Sequence, residues 1–185
     1  MPRQVFVFDN PERFVAGTVG QPGERTFFLQ VRDAGRLVSV ATEKGQISAL
    51  ADRVETLLAE VSRTAAVTTG AGTGTAGEDV APLDTPLEEE FRVGALALGW
   101  DKDDGLVVLE AQALSDTPAD PMSDQPDGPD VLRVRISAAV ARACVVRARR
   151  VVAAGRQPCP LCGLPLDPEG HICPRQNGHR AGVAT

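Results

Sequence analysis

The sequence has no tyrosine, one tryptophan and six phenylalanines, so it lacks the series of aromatic faces on which proteins stack single-stranded bases. Histidine is nearly as scarce. Both copies, His171 and His179, sit beside C-terminal cysteines, leaving none elsewhere for a proton-shuttling pair. Neither G-x-S-x-G nor H-E-x-x-H occurs, which removes two common catalytic signatures. No apolar run approaches the roughly 18–20 residues that span a bilayer. The opening MPRQVFVFDNPERF enters a strand-like alternation without a basic and then apolar leader. A cytoplasmic location without membrane association is therefore expected. Cysteine is confined to positions 144, 159, 162 and 173, a clustering that in a reducing compartment favours metal binding over disulfides.

What is present is the composition of a globular protein: 185 residues, 43% hydrophobic, 24% charged, net charge −6, enough to bury a core without disulfides. From Gln4 to Thr42 the segments QVFVFD, RFVAGTV, TFFLQVRD and LVSVAT are separated by turn residues, predicting four short, mainly antiparallel strands. Thr42 is the expected N-cap of a helix on which Ile47, Leu50, Ala51, Val54, Leu57, Leu58 and Val61 recur every three or four residues. Strand character returns with FRVGALALGW, the turn DKDDG, LVVLEAQAL and VLRVRIS. Ser137 then caps a second helix running to Ala154, with Gly155 as its stop. Phe14-x-x-Gly17 matches Phe91-x-x-Gly94, and LVSVAT matches LRVRIS, each before a helix. A duplicated βββα unit and a chance match both remain open.

The expected architecture is α+β, a mainly antiparallel sheet with two amphipathic helices, in a domain spanning 1–155. Two low-complexity insertions at about 62–87 and 115–130 read as flexible. Gly72-Thr73-Gly74 in the first lacks the strand, GK[ST] and helix of a phosphate loop. Residues 156–185 form a zinc-binding tail.

Charge is polarised along the chain. Residues 78–130 carry 15 acids and two bases, whereas 131–166 carry seven arginines and no acid. Arg133 and Arg135 share a strand face, while Arg142, Arg147, Arg149, Arg150 and Arg156 spread around the second helix, leaving Val140, Ala143, Cys144 and Val151 for the core. The first six arginines are candidates for binding an anion or a partner. The competing reading is a face neutralised by the chain's own acidic segment.

The densest chemical signal is CPLCGLPLDPEGHICPRQNGH, residues 159–179. Cys-Pro-x-Cys-Gly has the form of a zinc knuckle, in which a tight turn gathers two thiolates and amides donate to the first sulfur. Cys173 is the third ligand, and His171 is the choice for the fourth because residues two apart in an extended segment face the same way. His179 competes for that place. Cys159, Cys162, His171 and Cys173 would hold one structural Zn(II) per chain, with no position left for catalytic water. Cys144 reads as a small buried residue, with a reactive thiol as the alternative among arginines.

With these termini, MPRQVFVFDNPERFVAGTVGQPGERTFFLQ and CPLCGLPLDPEGHICPRQNGH, the chain resembles an actinobacterial family described as a domain of unknown function. The resemblance covers nearly the full length outside the insertions, and seventeen arginines against two lysines suit a GC-rich genome. Members of that family tend to be encoded beside a histidine-phosphatase-superfamily protein and a protein distantly similar to phosphatidylinositol 3- and 4-kinases. The resemblance thus implies a phosphoryl-related pathway. Some relatives are labelled repair proteins, but no nuclease, glycosylase or ATPase motif is visible.

Three functions follow in order. The first is a non-enzymatic binding or adaptor protein whose basic helix meets an acidic or phosphorylated protein partner, including the phosphatase-like or kinase-like neighbours. The second is a nucleic-acid binder using helix and knuckle, against which the net negative charge counts. The third is an enzyme with a carboxylate site assembled by folding beside Arg133 or Arg135.

Overall fold

Alternating apolar residues and paired turns fold the chain into one seven-stranded sheet with two helices on its inner face. The computed structural model describes residues 3–65, 77–116, 120–123, 125–155, 159–164, 166, 173 and 175. The elements are β1 Val5–Asp9, β2 Arg13–Val19, β3 Thr26–Asp33, β4 Arg36–Thr42, α1 Lys44–Ala65, β5 Glu89–Asp101, β6 Leu106–Ala113, β7 Val131–Ser137 and α2 Ala138–Ala153. The strand order is β1-β7-β6-β5-β4-β3-β2. The β1/β7 and β4/β5 pairs are parallel and the other pairings antiparallel. The fold is α+β and mainly antiparallel, as expected.

β1 and β2 lie at opposite ends of that order yet are linked by residues 10–12 alone. Three residues reach about 10 Å, so the sheet curls until its outer strands come near each other. Inside the curl, Phe14, Leu29, Val31, Val40, Leu109, Leu132, Val134 and Ile136 meet Ile47, Leu50, Val54 and Leu58 of α1 and Ala141, Cys144, Val145 and Ala148 of α2 in one core.

The hydrogen-bond register supports a structural repeat, but not in the alignment suggested by the letters. Gln30 on β3 faces Val15 and Ser39, and Glu110 on β6 faces Ala97 and Arg133. Ser39 in turn faces Glu89, as Arg133 faces Val7. The interrupted strand β1–β2 therefore corresponds to β5, β3 to β6 and β4 to β7, each half closing with a helix. Gly17 corresponds to Gly99, not Gly94. Val38 and Val40 correspond to Leu132 and Val134, one residue away from the LVSVAT/LRVRIS match, because a one-residue slip would turn the core face outward. The helices cross over: α2 lies on β2 and α1 on β5.

Local chemistry corrects several element ends. Thr42 does not cap α1. It ends β4, and its buried hydroxyl has no hydrogen-bond partner among the described residues. The start of α1 is instead bound by Gln46, whose side chain accepts from the Glu43 amide at 2.8 Å and donates to Val93 O at 3.1 Å. α1 continues to Ala65, into the segment read as a linker. Ser137 does cap α2, accepting from the Val140 amide at 3.3 Å. The α2 C-cap is Ala154, whose amide reaches Arg150 O, and Gly155 is not in the left-handed region. The DKDDG turn is an Asx-type hairpin turn, with Asp101 accepting from the Asp103 and Asp104 amides.

Each half also covers a glycine on its outer face. Leu83 lies on Gly17, where an added Cβ would be 2.5 Å from its Cδ2, and Met122 reaches over Gly99. Beside Leu83, the Asp84 amide donates to Gln30 at 2.7 Å and Gln30 donates to Asp84 O at 3.0 Å. The Met122 amide donates to Glu110 at 2.9 Å. Parts of both expected insertions are thus hydrogen-bonded to the sheet. Residues 66–76, including Gly72-Thr73-Gly74, lie outside the described residues, as do 117–119 and 124.

Candidate metal centre

The Cys159–Gly163 turn forms because Gly163, at φ +75°, accepts a left-handed backbone and donates its amide to Cys159 O at 2.8 Å. Cys159 N in turn donates to Leu164 O at 2.7 Å. Leu161 N points at Cys159 Sγ from 3.4 Å, the amide-to-sulfur contact expected of a knuckle. The second segment returns Cys173 to the turn, where Arg175 donates to Leu161 O at 3.1 Å.

The sulfurs of Cys159, Cys162 and Cys173 all lie within 4.8 Å of one another. Cys159 and Cys173 are buried, with their sulfurs 3.8 Å apart. That gap is far longer than a disulfide of about 2.05 Å, and no disulfide joins the cysteines among the described residues. It matches the edge of a tetrahedron built on metal–sulfur bonds of about 2.3 Å, which is about 3.8 Å. The donor set therefore fits a thiophilic metal ion. Amides of Cys162 and Leu161 hold the Cys159 thiol below its ordinary range, while desolvation raises Cys162. His171 and His179 lie outside the described residues. Cys144 is elsewhere, on α2, and burial pushes its thiol up to about 12. That overturns the reactive-thiol alternative.

Five of the six candidate arginines are engaged with acids of the same chain. Arg133 binds fully buried Glu110 through Nε and Nη2, each at 2.9 Å, and Gln112 donates to the same carboxylate. Arg135 pairs with Asp9, Asp101 and Asp104. Arg149 reaches Asp52 and Glu55 on α1. Arg150 pairs with Glu78. Arg142 is exposed with no partner among the described residues, beside a groove between the helices that includes Leu58, Ser62 and Val146. Arg156 lies outside the described residues.

Arg147 departs furthest from expectation. It lies on the buried side of α2 beside Ala141, Cys144, Val145 and Ala148, donating to Ala16 O at 2.6 Å and to Asp79 Oδ1 at 2.7 Å. Burial works against its charge, and the Asp79 carboxylate supports it. Arg13 converges on Asp79 too, through Nε at 2.7 Å and Nη2 at 3.0 Å. Arg13, Asp79, Asp84 and Glu110 had no distinguishing pattern in the sequence. Arg13 and Glu110 sit within strand alternation, and the two aspartates sit in a segment without periodicity.

A curled α+β sheet with a helix pair inside and a three-cysteine cluster able to hold a metal ion defines the class of protein. A family model matches residues 6–173, and the chain belongs to that family, described as "Protein of unknown function (DUF3090)". Neither the curated proteins nor the solved structures give a match.

Proposed function

We propose that this is a zinc-binding, non-enzymatic binding or adaptor protein of the actinobacterial cytoplasm, working in a phosphoryl-related pathway. The observation that carries it is the 3.8 Å separation of the Cys159 and Cys173 sulfurs beside Cys162, a tetrahedral edge filled with soft donors. One Zn(II) per chain is held by Cys159, Cys162, Cys173 and His171, with His179 the alternative fourth ligand. Four protein ligands close the coordination sphere, so the metal's role is to fix the tail. The partner is an acidic or phosphorylated protein, with the phosphatase-like and kinase-like neighbours implied by the family resemblance as first candidates. Nucleic acid is the weaker reading, because most candidate arginines already face carboxylates of this chain.

Elemental analysis is expected to find about one zinc per chain, lost in Cys162→Ser. A metal-free wild type with an ordered tail would sink the centre. The partner is sought by recovering the tagged full chain from an actinobacterial host after nuclease treatment. Recovery of a phosphatase-like or kinase-like protein supports the adaptor reading, and loss of every partner with nuclease moves nucleic acid ahead.

A further inference from the structure

We propose that Arg13, Arg147 and Arg150 form a binding site for a phosphoryl group, and that the Asp79 carboxylate occupies this site in the free protein. This deepens the reading of α2 as the anion-facing helix and rests on it, but moves the site from the helix's exposed face to its buried side.

Two of the three cations are inside the protein. The side chains of Arg13 and Arg147 are 9% and 5% exposed, from β2 and α2 respectively, whereas Asp79 is 31% exposed. Burying a guanidinium is costly unless an anion accompanies it. Arg13 Nη1 has Asp84 at 2.9 Å, but the anion facing Arg13 Nε and Nη2 and Arg147 Nη1 is Asp79, brought in on a segment with neither helix nor strand. Arg13 grips it with a fork, Nε on Oδ2 and Nη2 on Oδ1, while Arg147 Nη1 and the Ala81 amide share Oδ1. This is the convergence with which arginines recognise carboxylate and phosphate.

Asp79 fills the site incompletely. Its two oxygens serve Arg13 and Arg147, and Arg150 reaches only the Asp79 backbone carbonyl, at 2.9 Å, and Glu78. A phosphate monoester offers three acceptor oxygens and about −1.5 to −2 charge at pH 7, one oxygen for each arginine, whereas the two oxygens of Asp79 leave Arg150 to Glu78. A cavity of about 170 Å³ opens beside the carboxylate, bordered by Phe14, Gly77, Val140, Cys144 and Arg147. That is below the roughly 300 Å³ of a drug-sized pocket, which suits a phosphoryl group on a small or protruding carrier. Glu12 also borders it, and its carboxylate is 3.6 Å from Arg32.

The occupant is held so that it can leave. Residues 77, 78 and 80–82 are exposed, and the contacts that hold this stretch to the body run to Arg13, Arg147 and Arg150. Anchorage independent of these three arginines begins at Leu83 on Gly17 and at Asp84 on Gln30. Lifting residues 77–82 about that anchor frees Arg13 Nε and Nη2, Arg147 Nη1 and Arg150 without opening the core, while Arg13 Nη1 keeps Asp84.

The test titrates the full, zinc-loaded chain with inorganic phosphate and with phenyl phosphate at fixed ionic strength, using chloride as control. Removing the internal competitor raises apparent affinity by the inverse of the open fraction, so Asp79→Asn is expected to bind either probe about tenfold more tightly or better than wild type. Arg147→Ala should abolish binding in both backgrounds. In wild type, phosphate should speed amide exchange across 77–82 while Asp84 stays protected. Equal affinity in Asp79→Asn and wild type, or binding that survives Arg147→Ala, overturns the proposal. If Asp79→Asn does not fold, unchanged exchange across 77–82 in wild type overturns it instead. A partner captured equally by wild type and Arg147→Ala, with no phosphate bound, overturns this site and leaves the adaptor reading standing. Phosphate bound as described with no partner captured supports the site and removes the adaptor reading.

Discussion

Glu110 has no exposed surface, yet it sits on the outward face of its strand. It is tolerated there because Arg133, Gln112 and the Met122 amide all donate to it. Glu110→Ala would remove the fully buried carboxylate to which Arg133, Gln112 and the Met122 amide donate. Such losses cost about 3–5 kcal/mol, and urea unfolding of the variant is expected to show a fall of that order. Asp79 carries a pH dependence. The Arg13 guanidinium holds its carboxyl below the usual carboxylate range, so its contribution is complete above the unfolded value and is lost as pH falls through the folded one. Stability should therefore drop below about pH 4, and Asp79→Asn should flatten that acid limb in melts between pH 7 and pH 3. Cys144 sits at the other extreme. With its thiol raised to about 12, it should resist iodoacetamide at pH 8 in the native chain and react only on unfolding, as peptide mapping would show. Cysteine spacing made the metal cluster legible because its ligands are close in sequence. Arg13, Asp79 and Arg147 meet across the fold, and nothing local in any of them marks the others.

At the scale of elements, the two helix starts make a controlled comparison. Ser137→Ala removes a formed cap and is expected to cost about 1 kcal/mol. Thr42→Val removes a buried hydroxyl that binds nothing among the described residues, so the same denaturation assay should find it neutral or slightly stabilising. Both residues looked like caps because Ser and Thr before an apolar period share one signature; the strand's continuation through Thr42 separates them. Strands and helices were largely readable, since alternation and the three-to-four-residue period follow directly from which face is buried. The repeat was visible but misaligned. Phe and Gly identities matched Gly17 with Gly94, whereas sheet register matches it with Gly99. Letter matching follows shared identities, whereas register follows which residues face each other across the sheet.

The charge polarity of the whole chain was plain in composition, but composition could not show how far the fold would cancel it. Glu78, Asp79, Asp101, Asp104 and Glu110 come from the acid-rich stretch and pair with arginines from the basic one. The insertions were hardest to read. Low complexity says only that a segment lacks its own period, and the order in 77–84 comes from Gln30, Gly17 and buried arginines supplied by other elements.

The pairing of β1 with β7 has a consequence for the protein's life in the cell. The Gln4 amide binds Asp130, 126 positions away, so β1 has no strand neighbour until the ribosome has made that intervening chain and β7. Until then the nascent chain displays an unsatisfied edge, the kind of feature that recruits chaperones. A protease that removed β7 would orphan β1 too, so one cut would mark two strands distant in sequence for disposal.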